Sequence, residues 1–527
     1  MNKSELIGLF RHVFDRARRV FTAGFQADLR SLALARMAFG SLLLVDLVNR
    51  AAYLEAHYAD AGALPRKALL SLGWPRWFVS VHLMSGEPTV QLVLFLVAGV
   101  VALMLLLGYR TRLATVLSWL LLLSLHNRNQ LILNGGDTLF RILLFWGMFV
   151  PWGARWSVDA KLAPSSETGS DRVFSVGALA FFVQTGAVYF FTGLQKGRAD
   201  WWDSGLAVYY ALSLDSMRLP LGTFVYQFPE FMRFMTGATL WLELVGPFIF
   251  FIPFANAVFR WLGVLVFTIF QLGLGATLQV GLFPWVSIAA LVALLPSATW
   301  NRLNLRFLDH GFQSVAAVAR KFRLKSAQPF VALSKLEGVV VVFLLAYVLF
   351  ANTTTLRLTR WSVPGDLRWV GQVLRLNQKW DMFARPMKND GWLVIKGELR
   401  NGQEVDVFRK VPYVSFDKPD DVVGEFGGMR WRKYLTSIYL SRYRRHRPYY
   451  SRYVCRVWNR SHSYAENLMS LKLIVVKEKT LPDYQVETPK QIVLWRYTCF
   501  KKPKGRQARV ASALEFEAEA EAEEKGR

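Results

Sequence analysis

Cysteine is almost absent: the 527-residue chain has two, Cys455 and Cys499. That excludes a disulfide-stapled secreted scaffold, which needs several bridges in place of a large core. Acidic residues are scarce beside basic ones, 38 Asp+Glu against 64 Lys+Arg, which leaves a net charge of +26. Charge of either sign is thin, at 19% of residues, while 53% are hydrophobic. That ratio excludes intrinsic disorder, because disordered chains lack the apolar side chains that offset the entropy of ordering. A mean hydropathy of +0.24 argues against an ordinary soluble domain. No internal repeat is visible, and no cleavable signal peptide: the first apolar run follows a basic stretch and contains Arg36 and Asp46. A greasy chain with a large positive charge leaves two explanations, nucleic-acid binding or membrane topology.

The apolar residues are gathered in blocks. Nine runs are legible, at 32–52, 90–108, 112–127, 137–153, 174–195, 233–253, 258–279, 281–297 and 337–356. Most are near the ~20 residues that cross a ~30 Å hydrocarbon core at 1.5 Å per residue. The third, fourth and eighth are the shortest and weakest. Cytoplasmic loops of membrane proteins are enriched in Lys and Arg. Placing Lys3, Arg11, Arg16, Arg18 and Arg19 inside then puts Arg110, Arg112, Arg155, Lys161 and Arg172 inside as well. The connection at 298–336, with Arg302, Arg306, Arg320, Lys321, Arg323, Lys325 and Lys335, falls on the same side. The loops near 128–136 and 196–232, and the chain after Ala351, fall outside.

Beyond residue 360 the pattern changes. Apolar runs shrink to strand length at Trp392–Lys396, Val405–Phe408, Leu471–Val476 and Gln491–Tyr497. Turn formers separate them, among them Asn389-Asp390-Gly391 and Asn401-Gly402. Trp431–Leu440 reads as an inserted helix. Residues 361–510 hold 30 basic and 14 acidic residues, so this unit supplies +16 of the charge. Residues 511–527 form an acidic Glu/Ala tail.

Ionisable groups inside apolar spans cost several kcal/mol unless paired, so each is a candidate for function or for locking the bundle. Asp46 and Arg50 are spaced to pair on one helix face, and Asp137 and Arg141 repeat that spacing. Glu243 lies mid-span, and Gln184 and Gln271 are polar in apolar runs. The loop with Arg128-Asn129 and Asn134-Gly135-Gly136-Asp137 reads either as a well-capped re-entry turn or as a polar floor for an anion or carbonyl. In Val188-Tyr189-Phe190-Phe191 through Lys196 to Asp200-Trp201-Trp202, Lys196 closes an apolar span. It reads as a snorkelling lysine in an aromatic belt, or as a desolvated amine able to act as a base.

These segments resemble a known family. Val188–Trp201, the block Arg155-Trp156-Ser157-Val158-Asp159, and Gln279–Trp285 followed by Pro296–Trp300 are similar, in the same order, to the vitamin K-dependent gamma-glutamyl carboxylase. The likeness is closer to the bacterial proteins with the same membrane part, the horizontally transferred transmembrane domain proteins. It covers about residues 30–300. The resemblance implies that Lys196 takes the place of the base that deprotonates vitamin K hydroquinone, with Asp200, Trp201 and Asp159 beside the chemistry. Arg128, Asn134, Asp137, Tyr189 and Glu243 are the candidates for a quinone pocket. A reduced quinone is the cofactor this implies, and no metal is expected. Two departures are plain: Ala154 stands where the animal enzymes carry a histidine, and Asn134-Gly135-Gly136-Asp137 stands where they carry an Asn-Asn-His stretch.

In the basic unit Arg442, Arg444, Arg445 and Arg447 alternate with Tyr439, Tyr443, Tyr449 and Tyr450. Such interleaving suits nucleic acid or anionic headgroups. A domain following a span and placed outside favours lipid or a partner, such as a peptide or protein substrate at the outer face. The same placement would let Cys455 and Cys499 pair. The expectation is therefore a polytopic α-helical protein of the bacterial inner membrane, with about nine spans. Its parts are a cytoplasmic basic arm (1–30), a membrane domain (31–297), a basic cytoplasmic connection (298–336), a last span (337–356), an extracytoplasmic β-rich unit (361–510) and the tail (511–527).

Overall fold

The computed structural model describes residues 22–500, apart from 23, 74, 76, 164–169, 304, 326, 329–331, 357 and 358. Most of the expected N-terminal arm and all of the acidic tail lie outside the described residues.

The apolar runs form helices, which satisfy every backbone N–H and C=O within the segment and so suit a medium without water. The first, α1 (Leu29–Ala51), starts at Asp28, whose carboxylate accepts the Arg30 amide at 2.8 Å. Next, α2 (Pro88–Leu107) has Pro in its first turn and stops at Gly108, which takes a left-handed φ of 67°. There follow α3 (Thr111–Arg128), α4 (Gly135–Gly147), α5 (Val176–Leu194) and α6 (Pro229–Val245), the last extended to Phe251 by a 3-10 segment. After them come α7 (Asn256–Thr277), α8 (Phe283–Val292), an amphipathic α9 (Arg306–Lys321) and α10 (Lys335–Thr353). Helices α1 and α2 touch closely at Gly40, where a Cβ would lie 2.7 Å from the Leu106 backbone.

Six of these helices are long and apolar enough to cross a membrane: α1, α2, α5, α6 with its extension, α7 and α10. The other three expected spans are helical but shorter or more polar. Arg112, His126 and Arg128 lie on α3, while α4 has 13 residues and α8 has 10. Burial ranks the helices: 78% of the α5 window is buried against 28% of the α2 window. Thus α5 is central and α2 turns Val93, Leu96 and Val100 outward.

Contacts at the helix ends give the directions. At one end Ser31 donates to Leu295 O (2.7 Å), Arg36 to Trp152 O (3.0 Å) and Arg260 to Gln26 O (2.6 Å). Arg112 pairs with Glu337 there. At the other end Arg50 meets Asp137 (2.6 Å), Asn129 donates to His57 O (3.0 Å) and Arg432 to Gln279 O (2.8 Å). Among the described residues α1, α3, α5, α7 and α10 therefore run one way through the bundle, and α2, α4, α6 and α8 the other.

The C-terminal unit sits at the second end. Strands β1 (Asn389–Leu399), β2 (Glu404–Asp406), β3 (Leu468–Lys479) and β4 (Lys490–Thr498) form one antiparallel sheet in the order β2-β1-β3-β4. The β1–β2 hairpin turns through Gly402 at a φ of 86°. Two helices, α11 (Met429–Tyr439) and α12 (Arg447–Ser461), are inserted before β3. A disulfide joins Cys455 of α12 to Cys499 just after β4. The unit also packs against the membrane domain. Tyr58, Leu64, Phe95 and Ile132 share one apolar core with Trp392, Tyr434, Ile438 and Leu471. The α11 side chains also bond to the membrane domain, Tyr434 to Ala63 O and Ser437 to Leu131 O, both at 2.9 Å.

Candidate functional site

Where α5 ends, the chain turns at Gln195 and Gly197 and enters a π-helical turn, Arg198–Asp203. Such turns are short and strained and often mark functional sites. This one brings the Trp201 ring under Lys196, with Nζ 3.8 Å from the ring centroid. Trp201 Nε1 donates to Phe383 O at 2.8 Å, and Gly197 N to Ala384 O at 2.7 Å. The segment that leads into β1 thus holds the lysine turn from outside. Glu243, in the last turn of α6, lies 3.1 Å from Lys196 Nζ. Both side chains are almost wholly buried. Burial pushes the Lys196 ammonium below the usual lysine range, and the adjacent carboxylate opposes part of that shift.

Lys196, Trp201 and Glu243 face a cavity of about 1140 Å³ between the bundle and the C-terminal unit. Its membrane side is lined by apolar residues such as Val188, Leu242, Phe270 and Leu274, and by Tyr189, Thr192 and Gln271. Gln271 Nε2 donates to the Tyr189 hydroxyl at 3.0 Å, and its buried Oε1 has no hydrogen-bond partner among the described residues. Asn134 also reaches the wall, held by a capping box with Asp137 and by a contact from its Nδ2 to Met429 Sδ at 3.2 Å. The side formed by the C-terminal unit carries the charged residues Asp390, Arg432, Lys433 and Arg442 among apolar ones such as Leu393, Phe426 and Leu435. Burial raises the Asp390 carboxyl above its ordinary range, and that carboxyl accepts the Ser216 amide at 2.9 Å.

A second polar centre lies beside the cavity and is closed. Arg430 of α11 donates to both Asp137 oxygens (2.5 and 2.8 Å) and to Asp46 Oδ1 (2.9 Å). Arg50 takes the remaining Asp46 oxygen (2.8 Å) and shares Asp137 Oδ1 (2.6 Å). Asp46, His126 and Asp137 bring their ligand atoms within 4.8 Å of one another, the donor set of a metal site. Both guanidiniums saturate those carboxylates, so the trio is a salt-bridge network rather than a metal site. The expected pairing of Asp137 with Arg141 is not made: Arg141 turns to Arg375 O at 3.2 Å.

A family model for the HTTM domain matches residues 26–300, just over half of the chain. The chain belongs to the HTTM family. No curated protein and no solved structure matches it. The HTTM domain supplies the membrane side of the cavity, and its apolar helices fit a lipid bilayer.

Other candidates from the sequence fall elsewhere in the HTTM protein. Asp159 accepts the amides of Arg110 (2.9 Å) and Thr111 (2.8 Å) and the Thr111 hydroxyl (2.8 Å), and so caps α3. Arg128 donates to Leu64 O (3.0 Å) and Tyr58 O (2.8 Å), pinning the loop after α1. Asp200 pairs with Lys388 at 2.9 Å. Arg444 and Arg445 are exposed; Arg442 and Arg447 reach the cavity mouth, and Arg447 binds Tyr439 O and Leu494 O, both at 2.8 Å. Arg430, Arg432 and Lys433 were not singled out in the sequence. Their one local signal is a run of charge at the start of an amphipathic helix.

Proposed function

We propose that this protein is a membrane enzyme that deprotonates a lipid-soluble phenol of the quinol type, with Lys196 as the base. The observation that carries this reading is the Lys196 amine, buried at a cavity wall with the Glu243 carboxylate 3.1 Å away. Desolvation leaves more of the amine neutral at a given pH, which a base requires. Lys196 Nζ accepts the phenolic proton, and Glu243 neutralises the ammonium so formed. The unpartnered Gln271 Oε1 takes a phenolic hydroxyl, while Val188, Leu242 and Phe270 flank the ring. A reduced quinone fits this wall, and with oxygen it would supply the driving force for carboxylating a peptide glutamate at the outer face. The HTTM domain is found in vitamin K-dependent carboxylase, which supports the class of chemistry.

In this reading the alternating helices cross the bilayer nine times, with the short α4 enclosed by the others. The N-terminus is cytoplasmic and the C-terminal unit extracytoplasmic, in the inner membrane. The Cys455–Cys499 disulfide supports an oxidising compartment for that unit. Reporter fusions at Lys325 and Asn401 should report opposite sides; the same side for both would overturn the topology. For the chemistry, the full chain in nanodiscs is given a naphthoquinol, oxygen and CO2. Quinol consumption with epoxide formation is expected, and Lys196→Ala should abolish it. No turnover, or turnover unchanged by Lys196→Ala, would sink the base assignment. Ala154, where the carboxylases have histidine, favours a second reading, a non-catalytic maturation, immunity or docking component. That component would work through the exposed Arg442, Arg444 and Arg445.

A further inference from the structure

The cavity wall is strongly unbalanced in charge. Lys196 and Glu243 neutralise each other on the membrane side. On the other side six cations, Arg385, Arg432, Lys433, Arg442, Arg447 and Lys477, stand against the carboxylates Asp381 and Asp390. Asp381 pairs with Lys379, and Asp390 is engaged by the Ser216 amide. Lys433 is the focus of the excess. Among the described residues no hydrogen bond or ion pair reaches its Nζ. Burial and the adjacent Arg432 and Arg442 all disfavour its charge. Taking a cation out of water without an anion beside it is costly, so the geometry calls for an anion there.

The other end of the cavity opens to hydrocarbon. Phe231, Val266 and Ile269 line it and are also 48%, 37% and 60% exposed, on the lipid-facing sides of α6 and α7. A Cβ built on Gly273, one turn beyond Ile269 on α7 and also on the cavity wall, meets nothing within 4 Å. The chamber is thus apolar where it meets the bilayer and cationic where it meets the C-terminal unit.

We propose that this chamber binds an amphiphile with an anionic head. Its phosphate or carboxylate lies at Lys433, Arg432 and Arg442, and its hydrocarbon enters between α6 and α7. The inference goes beyond the base chemistry at Lys196 and does not need it.

The test uses the full chain in detergent, titrated with dioleoyl phosphatidylglycerol or dioleoyl phosphatidylcholine and read by native mass spectrometry. One phosphatidylglycerol should bind about tenfold or more tighter than phosphatidylcholine, from two or three charge contacts. Lys433→Gln with Arg442→Gln should remove that preference, while Arg444→Gln with Arg445→Gln should keep it. An unchanged melting temperature shows that each variant is folded, and Lys433→Gln alone, at a partly buried position, should halve the preference on a logarithmic scale. Equal binding of the two lipids overturns the proposal, as does a preference that survives loss of Lys433 and Arg442. Displacement of the lipid by millimolar inorganic phosphate would mark a free-anion site and overturn it too. Lys196→Ala should retain the preference, so failure of the base assignment and failure of this site are separately visible.

Discussion

Arg430 offers the sharpest physical test, because one side chain joins the two halves of the chain. It donates four hydrogen bonds, three to the buried carboxylates Asp46 and Asp137 and one to Ile132 O. With Arg50 the cluster of two carboxylates and two guanidiniums is neutral. Arg430→Ala leaves a net charge of −1 in a site with almost no solvent contact. Removing one partner of a buried ion pair costs about 3–5 kcal/mol, mostly as the uncompensated charge left behind. At ~1.4 kcal/mol per factor of ten, the docking of α11 on the bundle should weaken by about two to three and a half orders of magnitude. Hydrogen exchange in detergent would read this as faster exchange across α11 and α12, with α5 unchanged. The decisive arm is the double variant Arg430→Met with Asp46→Asn, which restores neutrality. Coupling energies in such networks are about 0.5–3 kcal/mol, so the double variant should lose less than the two single losses added. Strict additivity, or normal exchange in Arg430→Ala, would refute the view that charge balance clamps the unit.

Three further outcomes follow from the geometry. Turnover should rise with pH through the Lys196 pKa, below the ordinary lysine value; Glu243→Gln removes an interaction that raises that pKa, so the limb of the pH–rate profile should move to lower pH. Asp159→Ala strips three hydrogen bonds from the start of α3 and should cost about 1–2 kcal/mol, read as a lower melting temperature. Cys455→Ser opens a bridge spanning 44 residues and should destabilise the C-terminal unit by about 2–4 kcal/mol, seen in denaturant melts followed through its tryptophans.

Local signals in the chain were strong and carried far. Each of the nine apolar runs lies on a helix, and each of the four short runs beyond residue 360 on a strand, because hydropathy and turn residues act over a few positions. Length was harder to read. The apolar run at 137–153 outlasts its helix, since α4 stops at Gly147, and α4 buries nearly its whole surface, so its apolarity answers largely to protein neighbours. The Asp46–Arg50 pair was legible from its spacing and is present at 2.8 Å. The same rule misled at Asp137, because spacing along one helix says nothing of Arg430, which arrives from 293 residues away. Lys196 and Glu243 each stood out as ions in apolar surroundings. That they meet depends on how α5 and α6 pack, which sequence spacing does not encode.

The salt-bridge cluster also imposes an order of events on synthesis. Asp46 and Asp137 are made long before Arg430, with 293 residues between the second carboxylate and its guanidinium. At about 5–20 residues per second, the gap is roughly 15–60 s. For that time the nascent bundle holds two carboxylates and only Arg50 to balance them. The half-made protein therefore needs a proton, a trapped water cluster or a helper at that spot. The arrival of α11 then restores the charge balance, before α12, β3 and β4 have been made.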